Sequence, residues 1–250
     1  MPRGLSRYDE AGVVQRRLWT PSYWQTDVWY DAADLSTLTL VNGDVSEWRD
    51  KSGFGRHVSQ ATAANRPTYS SGGLNGRPTL DWGSAINNKR LNNENISNWS
   101  PKKFFVAAQY DGPNPAAQYY ALLSTDFSRP TSNGLYWIAI LTQGGTNWFY
   151  DTHYLNGASS PSFDAIPAIS NPFVLATNSV METDLVAIDI GFDRGDFNRG
   201  WVGKISEVFA VNFLPSVAER NRAEGYLAWK YGIQLDARHP FVNRPPLIGD

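Results

Sequence analysis

Two acidic side chains two residues apart on a strand project to one face. Retaining glycoside hydrolysis needs two such carboxyls about 5 Å apart. Glu182-Thr183-Asp184 begins such an acidic series, but Leu185-Val186-Ala187 follows and the second Glu that would complete a nucleophile and acid/base pair is missing. The other acidic pair, Glu47 and Asp50, falls at a turn. The residues therefore predict no enzyme. His57, His153 and His239 lie far apart and none has a ligand-spaced neighbour, which argues against zinc. The absence of cysteine removes disulfides, thiolate metal sites and cysteine nucleophiles.

A sugar site combines an aromatic platform with planar polar groups. Trp148-Phe149-Tyr150-Asp151-Thr152-His153-Tyr154 supplies both, which makes Trp148, Tyr150, Asp151 and His153 the candidate glycan contacts. The same alternation also suits a strand with core residues on one face and an inter-subunit surface on the other, and that plainer reading is preferred. Arg194-Gly195-Asp196 is read as a hairpin turn. Asn95-Ile96-Ser97 and Asn98-Trp99-Ser100 are formal glycosylation sequons, without weight outside a eukaryotic secretory route.

These residues must be held by something rich in strands. Only 18% of the 250 residues are charged, against roughly 25% for an average globular chain. The difference is made up by Gly, Asn, Ser, Thr and a heavy aromatic load of ten Trp, twelve Tyr and twelve Phe. A net charge of −2 provides no global field toward nucleic acid or an anionic membrane. No apolar run approaches the ~20 residues of a membrane-spanning helix, and Met1–Arg7 has no apolar signal region, so no membrane insertion and no signal peptide are expected.

Short apolar or alternating runs, punctuated by Gly, Pro, Asn and Asp, predict strands at Phe104–Tyr110, Tyr119–Ser124, Leu135–Leu141, Trp148–Tyr150, Phe173–Thr177, Leu185–Phe192 and Lys204–Phe213. One helix is predicted, from the capping box Ser216/Glu219 to Gly232 at the left-handed position beyond its end. Ala223, Tyr226, Leu227, Lys230 and Tyr231 share a face, and Tyr226 and Trp229 are expected to be buried against the sheet. Asp50, Ser52, Gly53 and Gly55 predict a tight turn. The organisation expected is an N-terminal docking arm over residues 1–27, a sandwich over 28–235 and an extended Pro-rich tail over 236–250. Arg3, Arg7, Arg16, Arg17, Trp19, Tyr23 and Trp24 are the arm's docking residues, and residues 1–24 are expected to be removable without unfolding the rest.

Several short motifs recur in a characteristic order: Trp29-Tyr30-Asp31-Ala32, Trp48-Arg49-Asp50-Lys51-Ser52-Gly53-Phe54-Gly55, Asn65-Arg66-Pro67, Leu74-Asn75-Gly76-Arg77-Pro78-Thr79-Leu80-Asp81-Trp82, Gly203-Lys204-Ile205-Ser206-Glu207-Val208 and Glu224-Gly225-Tyr226-Leu227-Ala228-Trp229-Lys230-Tyr231-Gly232. In that order they resemble the laminin-G-like branch of the concanavalin A-like lectin/glucanase superfamily, over about residues 28–240, in the form found in bacteriophage and prophage structural genes. The opening residues Gly4–Glu10 and Arg17–Pro21 are similar to the leader of such proteins. The resemblance implies an all-β jelly-roll sandwich of two antiparallel sheets with one short C-terminal helix. It further implies a non-catalytic virion surface protein, decorating a capsid or forming part of a head or tail fibre, assembled in the bacterial cytoplasm. Its partners are then other virion proteins and sister copies in a homo-oligomer. The alternatives are a lectin-like adhesin for a host-surface glycan and, third, a divergent glycosidase. Many laminin-G-like domains hold calcium. Asp81 stands where such a motif falls, but Trp82 and Asn87-Asn88 stand where further acids would help, so no cofactor is expected.

Overall fold

Among the described residues, three Asn-Gly pairs shape the chain locally. Asn42-Gly43, Asn75-Gly76 and Asn156-Gly157 all adopt positive φ at both residues, the conformation of the tight hairpin turn whose twist matches that of its strands. They join β2 (Leu38–Val41) to β3 (Asp44–Trp48), β5 (Thr68–Leu74) to β6 (Arg77–Asp81), and β11 (His153–Leu155) to β12 (Ala158–Ser160). The computed structural model describes residues 17–85, 87–97, 99–112, 119–124, 137–141, 153–160, 171–178, 187–192 and 200–250. Its remaining strands are β1 (Val28–Asp31), β4 (Val58–Ser59), β7 (Leu91–Asn93), β8 (Lys103–Tyr110), β9 (Tyr119–Ser124), β10 (Trp137–Leu141), β13 (Phe173–Asn178), β14 (Ile188–Ile190) and β15 (Gly203–Val211), with one helix, α1 (Val217–Tyr231).

The chain is mostly β. Its strands form one large antiparallel sheet in the order β10-β9-β14-β7-β4-β3-β5-β6-β15-β8-β13-β11-β12, with β1 beside β15 and β2 beside β3. The central strands β8, β13 and β15 are buried on both faces, and their two-residue period sorts them into two cores. Phe104, Val106, Ala108, Phe173, Leu175, Val208 and Ala210 face a core shared with Trp48, Leu91, Tyr120 and Ile190, from the other half of the strand order. Phe105, Ala107, Val174, Ala176, Phe209 and Val211 face a second core, closed by Ala223, Leu227, Ala228 and Tyr231 of α1.

The helix forms for the reasons its sequence predicts. The Ser216 hydroxyl accepts from the Glu219 amide while the Glu219 carboxylate accepts from the Ser216 amide, and Gly232 closes the end at φ 63°. Trp229 departs from expectation. It is 44% exposed, on the outer side of α1, and only its indole N–H is tied down, to the Phe241 carbonyl at 2.7 Å. Tyr226 is half-buried rather than buried. Residues 236–250 are not an extended tail. His239, Phe241 and Pro246 are buried, and the segment turns back on itself through His239 N–H to Asp236 O and Val242 N–H to His239 O.

The expected strands at Phe104–Tyr110, Tyr119–Ser124, Phe173–Thr177 and Lys204–Phe213 match β8, β9, β13 and β15 to within a residue or two. Within Leu135–Leu141 and Leu185–Phe192 the structure describes the shorter strands β10 and β14. Trp148–Tyr150 lies outside the described residues.

Candidate functional site

Among the described residues, a large group of interacting ionisable side chains lies where β1, β15 and α1 meet. β15 carries an extra residue at Ser206, where its register against β8 shifts between Ile205 and Glu207. A bulge re-aims the side chains that follow it. Ile205 faces the first core, while Glu207 turns to the helix side, opposite Asp31 of β1. Trp29, two residues before Asp31, shares that face.

Glu207 Oε1 accepts from the Trp29 indole N–H at 2.7 Å and the Tyr226 hydroxyl at 3.0 Å. Its Oε2 accepts from Lys230 Nζ at 2.6 Å and the Tyr231 hydroxyl at 2.9 Å. Asp31 Oδ1 accepts from the same Lys230 Nζ at 2.8 Å, and Oδ2 from Lys51 Nζ at 2.9 Å. Lys51 also pairs with Asp34 at 2.9 Å and sits 4.3 Å above the Trp29 ring. Burial pushes Glu207 above the usual carboxylate range; Lys230 opposes the shift and Asp31 adds to it. Burial pushes Asp31 the same way, but Lys230 and then Lys51 outweigh it and hold Asp31 below that range. Burial, reinforced by Glu207 and Asp31, keeps Tyr226 and Tyr231 as neutral donors.

A raised carboxyl beside a lowered one is the electrostatic signature of an acid–base pair. Such a pair must also reach the atom it protonates or deprotonates. Glu207 is 0% exposed, and each of its oxygens already accepts two donors. What this arrangement does is clamp the C-terminal half of α1 to the sheet through one ammonium and two hydroxyls.

The turn after β3 pins the same strand from its other side. Asp50 Oδ1 accepts from the Trp29 and Ser52 amides, both at 2.9 Å, and Oδ2 from the Ser52 hydroxyl at 2.6 Å and the Arg56 amide at 3.1 Å. Gly53 and Gly55 supply the positive φ of the turn, as expected. Glu47 is engaged with Arg49 at 3.0 Å and Thr39 at 3.1 Å. His57 accepts from the Asp50 amide at Nδ1, at 3.0 Å. A second polar group flanks α1: buried Lys103 donates to Asn178 at 2.8 Å, and burial lowers its pKa to about 8.

Of the residues assigned to an arm, Arg3, Arg7 and Arg16 lie outside the described residues. Arg17 and Tyr23 are exposed. Trp19 and Trp24 belong to this chain's own packing. Trp19 is 3% exposed, and Trp24 lies against Phe105, Phe209 and Phe213 with ring centroids 5.9, 6.5 and 5.6 Å away. The expectation that residues 1–24 stand apart from the folded body is therefore corrected from residue 18 onward. Residues 17–19 run antiparallel to 246–248, through Trp19 N–H to Pro246 O at 3.0 Å and Ile248 N–H to Arg17 O at 2.8 Å.

Trp148, Tyr150 and Asp151 also lie outside the described residues, as do Glu182, Asp184 and Arg194-Gly195-Asp196. His153 is buried within β11, between Ser160 of β12 and Thr177 of β13. Asp81 and Asn87 are engaged in local turns, Asp81 with the Gly83 amide and Asn87 with the Lys89 amide. Among the described residues no group of three or more acidic or histidine side chains is placed to hold a metal. No described helix is long and apolar enough to cross a membrane. A shallow cleft of about 210 Å³ lies between the end of α1 and the C-terminal segment, lined by Trp229, Ile233, Gln234, Leu235 and Val242 among others. Neither this cleft nor the buried clamp was legible in the sequence, where Glu207 is one acid among many; the bulge that turns it inward has no composition of its own.

No protein-family model, no curated protein and no solved structure matches this chain.

Proposed function

We propose that the chain is a non-catalytic surface protein of a bacteriophage virion, a decoration or fibre component, that attaches through its N-terminal segment and associates with sister copies. Its body is then a concanavalin A-like, laminin-G-like jelly-roll. The sandwich part of this reading is supported by the first core, whose side chains come from both halves of the strand order. The non-catalytic part is supported by the closure of the Asp31–Lys230–Glu207 cluster, where the raised carboxyl meets no solvent.

The single observation that carries the attachment is the anchored start of the body. Trp19 and Trp24 lock residues 17–24 onto the second core, so Arg3, Arg7 and Arg16 lie on a segment with a fixed point of departure. Arginine and aromatic side chains are the types that dominate binding at protein interfaces. Deleting residues 1–16 is expected to leave the thermal midpoint unchanged while abolishing co-sedimentation with particles. A truncated protein that still attaches moves docking onto the body, and one that unfolds makes the segment part of the core.

A second reading, a glycan-binding adhesin, is favoured by one feature. Trp229 presents an exposed ring, held by Phe241, beside the Gln234 amide in the cleft. Binding to a glycan array would favour this reading over the first.

A further inference from the structure

β2 is an edge strand: among the described residues it pairs with β3 alone. Its four residues, Leu38-Thr39-Leu40-Val41, carry no charge and no proline, the devices that commonly guard an exposed edge. The bulge in this hairpin does not guard it either. Thr39 faces Glu47 and Leu40 faces Val45, so the extra residue is Ser46, on β3, and β2 itself remains regular.

Among the described residues no strand pairs with the outer side of β2, which is open at Leu40. The hairpin closes at Val41 and Asp44 around Asn42-Gly43, so the neighbouring Leu40 directs its N–H and C=O away from β3. The backbone of Leu38 also faces away from β3, but its N–H is taken by Leu35 O and its side chain is buried in the first core. The side chains are as informative. Leu40 and Val41 are 40% and 43% exposed, and as successive strand residues they stand on opposite faces. A helix or loop laid on one face would cover one of them. A strand added at the edge covers both while satisfying the open backbone groups.

We propose that this edge is a self-pairing surface, on which a second copy of the chain lays its own β2 antiparallel, so that the sheet continues across a two-fold axis. Centring the axis on Leu40 sets the two Leu40 residues opposite each other, so that each open N–H meets the partner's open C=O, and the isologous geometry closes at two copies. Charge favours an identical strand. The four residues are neutral, so the pairing sets no like charges directly opposite each other; of the acids beside them, Glu47 is paired with Arg49 at 3.0 Å and Asp34 with Lys51 at 2.9 Å, and Asp44 accepts from the Thr68 hydroxyl. Four residues bury far less than the roughly 1,200–2,000 Å² of a stable interface, so the pairing is weak in solution and gains strength where copies are held close together. The proposal rests on the sister-copy part of the functional reading alone; particle attachment is tested separately by the deletion of residues 1–16.

Sedimentation velocity of the whole chain tests it, from micromolar to near-millimolar concentration. The weight-average mass is expected to rise toward twice the monomer, while Leu40→Lys and Val41→Lys hold it at the monomer and Val217→Lys, on an exposed site elsewhere, does not. Amide exchange gives a readout without mutation: protection of the Leu40 N–H should increase with concentration. A mass that stays monomeric throughout overturns the proposal. So does a dimer that persists in both lysine variants, an assembly that passes beyond two, or a Leu40 amide indifferent to concentration.

Discussion

Asp50 organises more of this molecule than its place in a surface turn suggests. One carboxylate accepts three backbone amides, those of Trp29, Ser52 and Arg56, and the Ser52 hydroxyl. Hydrogen bonds to a charged acceptor contribute about 1.5–3 kcal/mol each, and a buried amide left without a partner is costly. Asp50→Ala is expected to lower stability by about 3 kcal/mol, since solvent can serve the turn amides but not Trp29. Chemical denaturation checks this; a loss under about 1 kcal/mol would show that β1 does not depend on the carboxylate. The motif Asp50-x-Ser52-Gly53-x-Gly55 was legible as a turn because Asp, Ser and Gly act on their own backbone neighbours. Its bond to Trp29, 21 residues away, was not, because nothing in a local pattern encodes a distant donor.

The elements divide along the same line. α1 could be located from its sequence, since a capping box and a left-handed glycine are local signals. Its outward turn at Trp229 could not, because two buried faces compete for the large residues and Phe241 of the C-terminal segment holds the indole from outside. β8, β9, β13 and β15 were visible as apolar runs. The strands from β1 to β7 were not, being short and interrupted by the polar and glycine residues of their turns. Gly225 shows how a packed element reverses a local preference. In a solvent-exposed helix Gly→Ala stabilises by up to about 1 kcal/mol. Here a Cβ at 225 would come within 2.9 Å of Phe241 Cβ and 3.0 Å of its ring, so Gly225→Ala is expected to lower the unfolding midpoint by displacing the C-terminal segment. A raised midpoint would show that this segment yields at no cost.

For the whole molecule, the buried carboxyls pull stability in opposite directions with pH. Glu207 and Asp27 have raised pKa values, so the folded chain holds their protons more tightly than the unfolded chain does. Stability therefore increases as pH falls from neutral through those raised values. Asp31, Asp34, Glu47 and Glu219 are lowered, so their contribution is complete above the ordinary carboxylate values near 4 and is lost as pH falls below them. Lys103, lowered to about 8 from 10.5, adds stability as pH rises through that interval, because the unfolded chain then binds more protons. From pH 7 downward the thermal midpoint is expected first to rise and then to fall steeply below about pH 4, with Glu207→Gln flattening the rise. A midpoint that declines steadily from pH 7 downward would refute the raised assignment of Glu207. The antiparallel contact of residues 17–19 with 246–248 has a mechanical meaning. Tension drawn through residue 16 enters the body at Trp19, a ring wedged in the second core, and is shared at once with the C-terminal segment through the Arg17 and Pro246 carbonyls. The load reaches the helix side of the sheet first, and the hairpin at β2 and β3 lies off its path.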